Sequence, residues 1–173
     1  MKFTTKLLIF WSSVFLIFLL GFVIVMSVFW DISFNFWHLL VAFVINGVIP
    51  PAIITSFFYN RLEYMESEDD TPPKFKGVKT LDIKFDARTN HPFDEMMQKV
   101  DRQYIISYSD RKNKILKFRT DSRMLTWGLG GYLRMYDDNT VDAYVYPIHK
   151  NSRREGLTVN QTLRVLCSIF RQC

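Results

Sequence analysis

The chain has few of the residues that build metal centres or disulfide frameworks. Among 173 residues there are two cysteines and three histidines. Cys167 and Cys173 lie near the end of the sequence, while His38, His91 and His149 stand far apart. No Cys/His group has a recognised ligand spacing, so we expect no metal site. In a reducing cytosol we also expect no disulfide.

Motifs for catalysis are equally scarce. No serine, cysteine or threonine lies in a recognised nucleophile motif. The glycines in WGLGGY (127–132) lack the spacing and the lysine of a phosphate-binding loop. Glycines within a strand more often mark a bulge or a close approach by another element. We therefore expect a binding protein without catalytic residues or a cofactor.

Two long stretches contain no Asp, Glu, Lys or Arg: 7–30 and 36–59, each of 24 residues. A helix of this length reaches across a hydrocarbon core of about 30 Å. Because the backbone must satisfy its own hydrogen bonds in lipid, two such runs separated by a short loop predict a transmembrane helical hairpin over 1–60. A signal peptide is the alternative for the first run, but its apolar core would be shorter and end at a cleavage site.

Basic residues near the ends of the two runs predict the orientation. Lys2 and Lys6 precede the first run, the connecting loop has only Asp31, and Arg61 follows the second run. Basic residues favour the cytoplasmic side, so we expect both termini in the cytoplasm and the protein in the inner (plasma) membrane.

The remainder divides into a linker and a cytosolic domain. The acidic, proline-containing stretch 61–77 predicts a linker, and 78–173 predicts a folded unit. From residue 71 onwards there are 19 basic and 11 acidic residues. A basic domain tethered to a membrane is attracted to anionic lipid and to other anionic ligands.

Residue patterning in this unit predicts an α+β domain. Alternation over 78–85 indicates a strand, 89–103 indicates a helix, and four further strands precede a helix over 156–173. The order strand, helix, four strands, helix places helices on one face of an antiparallel sheet. This layout resembles the TATA-binding-protein fold, although a shared fold does not imply a shared function.

The hairpin over 131–147 has an unusual surplus of tyrosines on one face. A three-residue turn ending at a left-handed Asn139 pairs Tyr132 with Tyr144, Arg134 with Asp142, and Gly130 with Tyr146. Apolar residues then occupy the opposite face. In this register we expect Arg134 and Asp142 to neutralise each other.

We expect this tyrosine face to be uncovered and to bind a ligand or partner. A neighbouring predicted hairpin places two further cations on the same side, next to Ser107. Aromatic and cationic side chains suit a nucleotide, a nucleic acid or a partner protein, and a bland surface or an oligomer contact is the alternative. The candidate binding residues are Lys117, Arg119, Tyr132, Arg134, Tyr144 and Tyr146.

Inside the second apolar run, Asn46 is the main polar residue, and Gly47, Pro50 and Pro51 follow it. A polar side chain in lipid usually pairs across helices, which favours a homo-oligomer through the transmembrane helices, or simple anchoring, over an ion pathway.

The layout of two spans and a cytosolic domain resembles the two-span membrane effectors of bacterial antiphage defence. In these effectors a soluble domain senses a signal, often a nucleotide messenger, and the spans assemble and breach the membrane. The resemblance implies a nucleotide or protein signal for this chain. The competing hypothesis is a membrane scaffold or immunity-type protein that only docks a partner protein.

Overall fold

The computed structural model describes residues 3–30, 32–120, 128–148 and 153–170. Two compact units make up the chain, Met1–Asn60 and Arg61–Cys173. Lys2, Asp31, His149 and Cys173, which entered the predictions above, lie outside the described residues.

The first unit contains two long helices, α1 (Phe3–Trp30) and α2 (Phe36–Glu66), of which α2 continues into the second unit. Both helices are long and apolar enough to cross a membrane. They approach each other at Gly47, where an added Cβ would lie only 3.2 Å from Leu16 Cδ2. Within α2, Asn46 Nδ2 donates to the carbonyl of Ala42, one turn earlier, at 2.8 Å, and the expected pairing of Asn46 across helices stays a prediction.

The second unit is built on a five-stranded antiparallel sheet with strand order β1-β5-β4-β3-β2. The strands and helices are β1 (Lys79–Lys84), α3 (Pro92–Asp101), β2 (Ile105–Asp110), β3 (Ile115–Arg119), β4 (Leu129–Met135), β5 (Thr140–Pro147) and α4 (Arg153–Phe170). The α+β class and the chain order of elements are therefore as predicted, although α4 begins three residues early. The likeness to the TATA-binding-protein fold stays a prediction.

Helices α3 and α4 cover one face of this sheet, and the main hydrophobic core lies between the sheet and these two helices. Alternate residues of a strand point to the same face, so the apolar positions of the central strands meet the apolar stripes of the two helices. The core includes Phe85, Met96, Val100, Leu116, Phe118, Leu133, Val141, Val145, Val159, Leu166 and Phe170.

The turn between β4 and β5 confirms the predicted register. Asn139 has φ of 61°. Tyr132 pairs with Tyr144, and Gly130 pairs with Tyr146. The left-handed residue lets the three-residue turn close without splaying the strands, and this fixes which side chains share a face.

The adjacent hairpin, β2–β3, departs from the simplest register. A bulge between Ile106 and Tyr108 leaves Ser107 unpaired and places Tyr108 opposite Lys117. The neighbour of Lys117 on this side of the sheet is therefore a tyrosine, where the simple register expected Ser107. A bulge adds one residue to one strand, and residue alternation alone does not reveal it.

Candidate functional site

The predicted binding face is the sheet face opposite α3 and α4, and part of it is covered. Residues 61–76, which we call the cover, lie across it and supply the buried side chains of Arg61, Leu62, Tyr64, Met65 and Pro73. The stretch expected to be a linker is therefore packed against the sheet. Leu62 and Met65, each 1% exposed, are spaced three residues apart, as one face of a helix requires.

Lys117, which lies on this face in β3, is fully buried with 0% exposure. Its Nζ donates to the carbonyl oxygens of Tyr64 and Ser67, each at 2.8 Å. The same ammonium lies 4.1 Å from the ring centroid of Tyr64 and 5.4 Å from that of Tyr108. Carbonyls at the end of a helix lack intrahelical partners, so Lys117 caps the C-terminus of α2 from the sheet.

Burial lowers the pKa of Lys117 to about 8, while the nearby carboxylates of Asp69 and Asp70 act in the opposite direction. Removing an ammonium from water disfavours its charged form, and the acceptors around it return only part of that cost. At pH 7 the side chain is still mostly protonated. The covered face therefore holds a positive charge beneath the cover.

Tyr132 and Tyr146 are also fully buried beneath the cover. The hydroxyl of Tyr132 donates to the carbonyl oxygen of Asp70 at 2.8 Å. Burial is the main reason that the pKa of Tyr132 rises to about 12. The ring of Tyr146 lies 5.1 Å from that of Phe75 and 6.1 Å from that of Tyr64, between centroids. These edge and tilted contacts stabilise the cover on the sheet.

Arg61 fastens the beginning of the cover. Its guanidinium donates to the carbonyl of Pro147 at the end of β5 and to the carbonyl of Lys76, the latter at 3.2 Å. Its Cζ also lies 5.3 Å from the ring centroid of Phe75. One side chain thus ties the helical part of the cover to both its far end and the sheet.

The other three candidate residues remain accessible to different degrees. Arg134 is exposed, and Arg119 and Tyr144 are half-buried. Arg134 lies 5.5 Å from the ring centroid of Tyr136. Arg134 and Asp142 are opposite each other as the register predicted, but the Asp142 carboxylate accepts a hydrogen bond from the Tyr136 hydroxyl at 2.8 Å.

The expectation of one uncovered face with six binding residues is therefore wrong for Lys117, Tyr132 and Tyr146, because the cover buries them. Whether any of the six binds a ligand stays a prediction. Sequence reasoning missed the partners in the cover, Tyr64 and Phe75. Their signal was the presence of large apolar and aromatic side chains in a segment that its acidic residues and prolines marked as a linker.

A groove of about 580 Å³ borders the cover on the side of β2. Charged residues of both signs, the tyrosine opposite Lys117, and a methionine of α3 line it: Glu68, Met97, Tyr108, Ser109, Asp110, Arg111 and Lys112. Tyr108 thus borders both the groove and the buried ammonium, since its ring centroid lies 5.4 Å from Lys117 Nζ.

No family model matches this chain, and no curated protein shows significant sequence similarity to it.

Proposed function

We propose that this chain is a membrane-anchored binding and sensor protein whose α+β domain responds to a nucleotide or protein signal. In this proposal α1 and the apolar part of α2 cross the inner membrane with both termini cytoplasmic, and the chain self-associates through these helices. The closest functional class is the two-span effector of bacterial antiphage defence.

One observation carries the proposal: α2 supplies residues to both units, and the sheet holds its last turns. Leu62 and Met65 are buried in the second unit, and Lys117 binds the carbonyl of Tyr64. A change at this face of the sheet acts directly on the end of a candidate membrane helix. A tether with no role in signalling would not need such contacts.

The excess of basic residues in the second unit supports an anionic signal, and the accessible side chains of Arg134 and Tyr144 offer charge and an aromatic ring. Cationic and aromatic groups together suit phosphates and bases. They also suit a partner protein, since Tyr and Arg are enriched at interfaces.

Induced expression in a bacterial host during phage infection tests the proposal. We expect the full chain to depolarise the membrane and stop growth after infection, as measured by a potential-sensitive dye and by viable counts. A fragment of residues 61–173 at the same level serves as the control and should do neither. A full chain that leaves the potential unchanged but co-purifies with one partner protein would favour the scaffold or immunity-type hypothesis.

A further inference from the structure

The middle of the cover, Ser67–Thr71, differs from the segments on either side of it. Leu62 and Met65 before it and Pro73 after it are buried. Within Ser67–Thr71 the side chains of Glu68, Asp69, Asp70 and Thr71 are exposed, and Ser67 is half-buried. We call Ser67–Thr71 the strap. It buries no apolar side chain, so it contributes little hydrophobic stabilisation and can open without the rest of the domain.

Hydrogen bonds hold the strap down instead. Lys117 Nζ binds the carbonyl of Ser67, and the Tyr132 hydroxyl binds the carbonyl of Asp70, both at 2.8 Å. Asn113 Nδ2 donates to Asp70 Oδ2 at 2.8 Å. Each donor thus meets an oxygen of an acidic strap. A net contribution of about 1 kcal/mol per bond keeps the strap closed while leaving it displaceable.

We propose that the strap occupies an anion-binding site formed by the Lys117 ammonium and the Tyr132 hydroxyl, and that a nucleotide phosphate displaces it. This inference rests on the proposed function and identifies the covered part of the face as the binding site. A phosphate offers the acceptors that the strap carbonyls now supply, with a full negative charge in addition, and charge-assisted bonds are the stronger ones. Glu68 of the strap and Tyr108 both line the groove, so a ligand in the groove would lie against the strap that it displaces.

Displacing the strap also changes the end of α2. Lys117 binds Tyr64 and Ser67 with one ammonium. A phosphate that takes this ammonium competes with the carbonyls that it now caps. Ligand binding therefore loosens the last turn of a candidate membrane helix, which is the step that the proposed function requires.

Lysine labelling of the full chain in detergent at pH 7, read by mass spectrometry, tests the inference. Lys117 reacts with an N-hydroxysuccinimide ester only when the strap is open, and the exposed Lys84 reports the reagent. Asn113→Ala removes the bond to Asp70 of the strap and one to Asp110 of its own turn. It should speed Lys117 labelling about two- to tenfold, the effect of losing one hydrogen bond to the strap. Asn90→Ala, the same substitution at an exposed position outside the groove, is the matched control and should not.

Amide exchange at Leu133, in the central strand β4, separates strap opening from global unfolding. If labelling of Lys117 and exchange at Leu133 rise together in Asn113→Ala, the strap does not open by itself and the inference is wrong. Tyr132→Phe, which removes one hydroxyl, gives a second reading and should also speed labelling of Lys117 while Leu133 stays protected.

Protection by added anions tests the site. Pyrophosphate and ATP should each slow Lys117 labelling in Asn113→Ala, without slowing that of Lys84. Protection by neither, or by a polyglutamate peptide alone, would overturn a nucleotide-phosphate site. These labelling results do not depend on depolarisation in cells. The proposed strap site can therefore be overturned while the effector function stands, and the effector function can be overturned while the strap site stands.

Discussion

Lys117 caps the end of α2 through the carbonyl oxygen of Tyr64, 2.8 Å from its Nζ, and lies under the Tyr64 ring at 4.1 Å from the centroid. Fifty-three residues separate the two in sequence. The contact joins β3 to the last turn of a helix that is apolar enough to cross a membrane. It makes residues 61–66 part of the folded domain and not part of a tether.

This assignment predicts where the soluble domain begins. A fragment of residues 61–173 should be folded and should melt cooperatively in circular dichroism. A fragment of residues 74–173 leaves out Leu62, Tyr64 and Met65 and uncovers Tyr132 and Tyr146. Because each large buried side chain contributes about 1.5–3 kcal/mol, we expect the shorter fragment to lose more than about 5 kcal/mol and to aggregate. Equal stability of the two fragments would show that the cover is dispensable.

The pKa of Lys117 predicts a specific pH dependence. It falls from its ordinary value of 10.5 to about 8 in the folded state. Between these values the unfolded chain binds more protons, so the free energy of unfolding should rise with pH, by at most about 1.4 kcal/mol per unit. Well below pH 8, Lys117 is protonated in both the folded and the unfolded state, and the full cost of burying its ammonium lowers the free energy of unfolding.

Lys117→Met isolates this contribution, since methionine keeps an unbranched side chain but cannot titrate. Denaturant unfolding of the wild type and the variant at pH 7, 8 and 9 should show the wild type gaining stability relative to the variant as the pH rises. Parallel curves would mean that the folded-state pKa of Lys117 is not lowered. Lys84→Met, at an exposed position, should follow the wild type.

Gly131 is predicted to be intolerant of substitution. An added Cβ would lie 2.1 Å from Phe118 Cζ, the ring that fills the space over it from β3. Phe118 is fully buried, so the ring has little room to move. We expect Gly131→Ala to lower the free energy of unfolding by about 3 kcal/mol, at the upper end for overpacking.

A double-mutant cycle with Phe118→Leu checks the cause, because leucine is shorter at the position of the clash. The double variant should be more stable than the sum of the two single effects predicts, with a coupling of about 1 kcal/mol or more. Additive effects would place the cost in the backbone of β4 and not in the ring contact.

The register of the β4–β5 hairpin could be predicted from the sequence, but the segment that covers the hairpin could not. The turn 137–139 and the alternation around it predicted which residues of β4 and β5 share a face, because a three-residue turn and a period of two leave one register. Glycines within a strand predicted a bulge or a close approach by another element, and at Gly131 the ring of Phe118 approaches closely. These features are local, and local spacing determines them.

The cover could not be predicted in this way. Its acidic residues and its prolines favour a linker, and its contacts with Lys117 and Tyr132 join residues 50 or more positions apart in sequence. The bulge at Ser107 is equally hidden, since an extra residue leaves the apolar positions in place. Both features decide how much of the candidate site is accessible.

The predicted membrane topology, with both termini in the cytoplasm, can be tested directly. Reporter fusions at Lys6 and after Cys173 should both read cytoplasmic, and a fusion at Ser33 should read external. The reason is that basic residues precede the first apolar run and follow the second, while the loop between the runs has none. A fusion at Ser67 should agree with the one at the C-terminus. An external C-terminus would remove the basis for a cytosolic nucleotide signal.

Arg134 provides the last prediction, because its role in binding can be separated from any role in folding. Its partner is the exposed ring of Tyr136, and Asp142 is already held by the Tyr136 hydroxyl. Arg134→Ala should therefore change the free energy of unfolding by less than about 0.5 kcal/mol. If the accessible part of the face binds an anion together with Tyr144, the same variant should weaken ATP binding about tenfold, measured by calorimetry on the full chain.

Tyr136→Phe is the control, because it releases Asp142 at a cost of about 1 kcal/mol in stability while keeping the ring and the cation. Loss of stability in Arg134→Ala with unchanged ATP binding would assign Arg134 a structural role and leave ligand recognition to the site beneath the strap.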